Sequence, residues 1–142
     1  MAITQAVCNS FKQEILEGVH DLENGGDTFQ LALYTSAATL GAATTSYTTG
    51  SEVAASGQYA AGGGVLASQQ VSLDTGVAIV DFADLSFTGV TLTARGALIY
   101  NTTETNKAVC VLDFGSDKTA TSGTFTIQFP AFTSSSAILR IA

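Results

Sequence analysis

The chain has 142 residues, a common size for one domain, and its hydrophobic fraction of 46 % supplies enough apolar material for a real core. Only 12 % of its residues are charged and the formal net charge is −7, so wholesale disorder is not expected. The five basic residues, Lys12, Arg95, Lys107, Lys118 and Arg140, are scattered; with no basic stripe, neither nucleic acid nor an anionic membrane is an expected partner.

The first element in chain order is a helix over about residues 4–19. Val7, Cys8, Phe11, Ile15, Leu16 and Val19 recur at intervals of three and four and form one apolar stripe. Thr4 is its expected N-cap, and Gly18 followed by the polar run Asp21–Asp27 is its expected end. The period then changes to two. Phe29, Leu31 and Leu33 alternate with polar or small neighbours over residues 28–34, which predicts a half-buried strand.

Residues 35–64 are rich in Ala, Thr, Ser and Gly, with few large apolar anchors, and end in Gly62-Gly63-Gly64. So long a stretch without its own structure is unusual inside a domain unless a partner orders it. It is expected to be an extended arm, mobile in a monomer, with Tyr47, Gly57, Tyr59, Gly62, Gly63 and Gly64 as the candidate interface residues. Beyond it the strand pattern resumes at Val65–Leu73, Val77–Phe82, Val90–Tyr100, Val109–Leu112, Phe125–Phe129 and Ile138–Ile141. Turn signals fall at Asp74-Thr75-Gly76 and Ser122-Gly123, and Gly96 suggests a bulge or a close backbone approach. The expected architecture is mainly β: a single-domain antiparallel β-sandwich or barrel of about seven strands over 28–34 and 65–142, with one N-terminal amphipathic helix.

Candidate chemistry is thin. Gly57–Gly64 (GQYAAGGG) has no Gly-Lys-Ser/Thr and no strand-to-helix setting, so it is not read as a phosphate loop. His20, the only histidine, has no Gly-x-Ser-x-Gly elbow to serve and reads as a partner for the helix dipole. The run Asp21–Asp27 concentrates oxygen ligands that calcium would accept, but it departs from the EF-hand pattern; a solvated turn is the simpler reading. Asp81 with Asp84, and Asp113 with Asp117, flank Phe82 and Phe114 at expected strand ends, where carboxylates usually hold turn amides. Cys8 and Cys110 lie in no metal-binding spacing and are expected to be buried thiols. No catalytic residue, cofactor or metal site is therefore assigned, and the chain is not expected to be an enzyme.

Thr, Ser, Gly and Ala fill many positions where a free monomer carries charge, as on a surface built to be packed against. No run approaches the roughly 18 apolar residues of a membrane span. The opening MAITQAVCNSFKQEI lacks a basic leader and a continuous apolar run, so no secretory signal is expected and maturation in the cytoplasm is.

Five segments carry a resemblance: ITQAVCNSFKQEILEGVHD, FQLALYTSAATLGAATTSYTTGSEV, ARGALIYN, VCVLDFGSDKTATSGTFTIQFP and AILRIA. Together, and in this order, they resemble a family of small virion structural proteins of tailed bacteriophages and prophages. The region from Ser51 to Gln70 is least like the family, with Ala60-Ala61 where a threonine is usual before the glycines. The resemblance implies a structural role in the head or the tail and transfers no catalytic residue. The leading expectation is a capsid decoration (cement) protein on the outside of the head, with the major capsid protein as partner and self-association, as a homotrimer, suited to local threefold positions. The alternatives are a tail, neck or fibre-associated component, although no fibre-like repeat is found, and a virion carbohydrate-binding module using Tyr34, Tyr47, Tyr59 and Tyr100 as aromatic platforms.

Overall fold

A computed structural model describes residues 2–142. It is mainly β, with 48 % strand and 6 % helix. The elements run β1 (Ala6–Val7), α1 (Asn9–Leu16), β2 (Phe29–Tyr34), β3 (Gly64–Val65), β4 (Gln70–Asp74), β5 (Val77–Asp81), β6 (Leu85–Asn101), β7 (Lys107–Ile127) and β8 (Leu139–Ile141). They form two antiparallel sheets, β1-β7-β6-β2-β3 and β4-β5-β8, a sandwich-like arrangement that does not close into a barrel.

The main core lies on the larger sheet. Phe29, Leu31 and Leu33 of β2 are fully buried, and so are Leu98 and Ile99 of β6 and Val109 and Val111 of β7. Phe82 and Phe129 extend this core toward the smaller sheet, with ring centroids 5.8 Å apart. The smaller sheet contributes Val80 and Leu139.

The helix is shorter than its apolar stripe. Ala6 and Val7 pair with Val111 and Cys110, which commits the backbone before residue 8 to a strand. Thr4 is therefore not the N-cap; Cys8 holds that position in an extended conformation without a side-chain cap bond. The other end follows the sequence. Gly18 takes φ +75°, the Val19 N–H donates to the Glu14 carbonyl at 3.0 Å, and the Gly18 N–H donates to Ile15 at 3.3 Å. This is a Schellman motif with glycine in its left-handed position.

Strand count and boundaries also differ from the sequence pattern. Val109–Leu112 and Phe125–Ile127 belong to one strand, β7, whose pairing with β6 resumes at Lys118 and Thr119 after residues 114–117 bulge out opposite Arg95. Ser122-Gly123 is thus an irregularity inside β7, and Phe129 lies outside any strand. Gly96 sits at a register shift, and a side chain there would overlap the Leu112 carbonyl. Asp74-Thr75-Gly76 does form a turn: Asp74 pairs with Val77, and Thr75 and Gly76 both have positive φ, the signature of a two-residue type I′ hairpin.

The largest correction concerns residues 35–64. They are docked on the larger sheet. Ala38, Leu40, Val53 and Tyr59 are buried, the Val53 N–H donates to Leu33 at 2.9 Å and the Tyr47 N–H to Asn106 at 2.9 Å, and Gly64 and Val65 pair with Leu31 and Gln30 as β3. Small residues serve here as close-packing backbone. A side chain at Gly57 (φ +53°) would overlap the Gly89 carbonyl, and one at Gly63 (φ +87°) the Leu31 carbonyl.

Candidate interaction surface

Three of the residues expected at an interface, Tyr47, Tyr59 and Gly62, converge on the domain's own carboxylate, Glu52. It accepts the Tyr59 hydroxyl at 2.8 Å and the Gly62 N–H at 2.7 Å, and its other oxygen accepts the Tyr47 hydroxyl. The Tyr59 oxygen in turn accepts the Leu33 N–H at 2.8 Å. Nearby, Tyr100 hydrogen-bonds the Gly62 carbonyl at 2.6 Å and stacks on Tyr47 with centroids 4.7 Å apart, and Tyr34 donates to the Thr48 carbonyl. Burial, reinforced by the Glu52 charge, pushes the Tyr100 phenol up to about 12 and holds the Tyr34, Tyr47 and Tyr59 phenols well above their ordinary range. Tyr59, Gly63 and Gly64 thus fasten the 35–64 segment to β2, Tyr47 and Gly62 fasten it to Tyr100 of β6, and Gly57 seats it against Gly89. Tyr34, Tyr59 and Tyr100 are buried, which leaves no exposed platform at three of the four rings that a sugar site would need.

His20 is held in a second internal network. Its ring lies 4.8 Å from Phe11, its Nε2 is 2.9 Å from Glu14, and its Nδ1 is 2.9 Å from the Asn101 Nδ2. The Asn101 carbonyl oxygen accepts the Thr103 and Glu104 amides and its Nδ2 donates to Asp27. That pattern fixes the amide's orientation, so the Asn101 Nδ2 donates to the His20 Nδ1 and the proton sits on the Nε2, aimed at Glu14. The histidine ties the helix end to the β6–β7 turn.

Four of the aspartates singled out above, Asp21, Asp27, Asp84 and Asp113, also hold backbone. Asp21 accepts the Glu23 N–H and Asp27 the Asp21 N–H; Asp84 accepts the Phe129 N–H at 2.8 Å; Asp113 accepts the Gly115 N–H and faces Arg95 at 3.4 Å. Among the described residues no three His, Cys, Asp or Glu side chains gather as metal ligands. Cys8 and Cys110 are buried free thiols, and burial pushes the Cys8 thiol up to about 11, a poor nucleophile at neutral pH. No helix among the described residues is long and apolar enough to cross a membrane.

One surface feature has no internal partner. Alternation along β4, β5 and β8 puts Val71, Leu73, Ala78, Val80, Leu139 and Ile141 on one face of the smaller sheet. Val80 and Leu139 are buried, but Val71, Leu73 and Ile141 are 40 %, 72 % and 60 % exposed, and Leu16 of α1, across the gap, is 89 % exposed. These are four of the five exposed large hydrophobic residues of the described chain. Between α1 and the sheet, Leu16, Val71 and Ile141 border an open apolar groove of about 600 Å³, rimmed by Lys12, Asp21, Glu23 and Arg140. Covering one of the exposed leucines would contribute about 1.5–3 kcal/mol, which makes this clustered apolar patch the candidate contact surface of the domain. The sequence hid it. Leu16 belongs to a stripe that reads as core, and Val71 and Leu73 read as an ordinary half-buried strand; the low charge fraction was the only general signal.

Comparison with family models, curated proteins and solved structures finds no match.

Proposed function

We propose that this chain is a structural protein of a phage virion, a capsid decoration protein that packs against the major capsid subunits on the outside of the head. The observation that carries the reading is the exposed apolar face of Leu16, Val71, Leu73 and Ile141, which acts as the contact surface. The order of the five sequence segments resembling small virion proteins supports it. So does the docking of residues 35–64 by Glu52 and Tyr59, which presents a preformed surface and limits the ordering entropy of association. The contact is apolar and the chain's net charge is −7, so added salt relieves repulsion from an acidic lattice and does not break favourable pairs.

The test is co-sedimentation of purified protein with undecorated heads and, separately, with tails, across a salt series. Binding to heads that holds or strengthens from low to moderate salt, and is lost on Leu16→Lys, supports the reading. Binding to tails alone moves the protein to the tail or neck. Release at moderate salt, or full binding by the Leu16→Lys variant, removes the apolar face as the contact.

A further inference from the structure

β4 is an edge strand of the β4-β5-β8 sheet, and its hairpin determines which of its backbone groups are free. The two-residue turn closes on the pair Asp74 and Val77, a hydrogen-bonded pair in hairpins of this class. Alternation then directs the N–H and C=O groups of Gln70, Ser72 and Asp74 toward β5 and those of Val71 and Leu73 outward. Among the described residues, no loop or side chain hydrogen-bonds these outward groups. The edge also lacks the usual protection against pairing. Its sequence, QVSLD, holds no Lys or Pro, and its register with β5 has no bulge.

We propose that β4 pairs antiparallel with β4 of a second copy of this chain, about a twofold axis at Ser72. This rests on the reading above that the apolar face is an assembly surface, and it supplies one occupant of that face. Three independent features agree on the register. Hydrogen bonding agrees, because Val71 of one copy meets Leu73 of the other and both present outward groups, so each such pair makes two backbone bonds. Side chains agree, because those residues share the exposed apolar face and meet as neighbours there. Charge agrees, because Asp74, the only charged residue of β4, whose carboxylate accepts the Ser134 N–H at 2.6 Å, lies opposite the uncharged Gln70 of the second copy, whereas parallel in-register pairing would set the two Asp74 residues side by side. A twofold contact requires a surface complementary to itself, and β4 is so about a single residue. The product is a continuous sheet in the order β8-β5-β4-β4-β5-β8, a dimer contact distinct from the threefold contact of a trimer.

The test uses the full chain and two readouts. Sedimentation equilibrium over a concentration series should give a monomer–dimer equilibrium, its dissociation constant raised at least about tenfold by Leu73→Lys, which places a charge on the edge. In the second readout, Ser72→Cys should give a covalent dimer under mild oxidation, because residues facing each other in a non-hydrogen-bonded pair lie about 4.5 Å apart, within disulfide reach. Gln70→Cys should not, because its counterpart lies about 13–14 Å away in this register. Cys8 and Cys110 are buried and do not compete. Should Leu73→Lys misfold by circular dichroism, the two cysteine variants decide alone. A chain monomeric at every concentration, a trimer, or crosslinking by Gln70→Cys in place of Ser72→Cys overturns the proposal. Pairing with a foreign strand in place of a second copy would leave the free chain monomeric and does the same. A monomer that still sediments with heads would remove the β4 contact and keep the assembly reading; a dimer that binds no virion part would do the reverse.

Discussion

Replacing Glu52 with alanine removes the one acceptor shared by Tyr47, Tyr59 and Gly62. Tyr47 is partly exposed and its hydroxyl can turn to water, and the buried Tyr59 hydroxyl keeps the Leu33 carbonyl, 3.4 Å away, as an acceptor, but the Gly62 N–H points at the lost carboxylate. Leaving a buried donor without a partner costs about 1–3 kcal/mol, and the weaker Tyr59 bond adds about 1 kcal/mol. Relief of the carboxylate's own desolvation offsets part of that. A net loss of about 2 kcal/mol is expected, equivalent to a fall of about 4–8 °C in Tm for a domain of this size. The assay is thermal unfolding followed by circular dichroism, with hydrogen exchange to localise the effect to residues 52–65. Tyr59→Phe should cost a comparable amount, about 1–3 kcal/mol, because it orphans the Leu33 N–H. The double variant should cost less than the sum of the two, since both act on one network. An unchanged Tm for Glu52→Ala with exchange confined to the chain ends, or strict additivity, would refute the claim that this carboxylate fastens the 35–64 segment. Deletion of Ser56–Gly63 would remove Tyr59 and the approach to β3 together, so the isolated domain should be weakened and not simply trimmed.

Phe11→Ala should destabilise by about 3–5 kcal/mol because the ring is 5 % exposed, whereas Leu16→Lys, at 89 % exposure, should leave the melting temperature nearly unchanged; equal losses would mean that the helix face is misassigned. Gly63→Ala should be poorly tolerated, since its β-carbon would overlap the Leu31 carbonyl in a left-handed backbone conformation, while Gly25→Ala, with open space around it, should cost only the conformational strain; comparison of their denaturant midpoints checks this. In alkali, the folded Tyr100 phenol titrates near 12 against 10.0 when free. The neutral form is the one favoured by folding, so the stability linked to it is complete below pH 10 and is lost as pH rises through 12. A tyrosinate absorbance titration beside chemical unfolding should show stability flat at neutral pH and falling over that window; loss of stability beginning near pH 8 would contradict it.

Features set by near neighbours could be read from the chain itself. The two-residue hairpin at Thr75-Gly76 and the helix stop at Gly18 follow from glycine's access to positive φ, and the mainly β architecture follows from the period-two pattern after residue 28. Features set by distant partners could not. Whether residues 35–64 form a free arm or a docked layer depends on Glu52 meeting Tyr59 and on Leu33 offering its outward N–H and C=O, contacts that no local composition announces. Lys118 and Thr119 are strand because Ala94 and Thr93 of β6 pair with them across a bulge, although the segment around them reads as a loop. The exposed apolar face was hidden for the same reason. An apolar stripe states that side chains want to leave water, and only tertiary packing decides which are covered: Phe11, Val80 and Leu139 reach the core, while Leu16, Val71, Leu73 and Ile141 project past the edge of what the domain itself can cover.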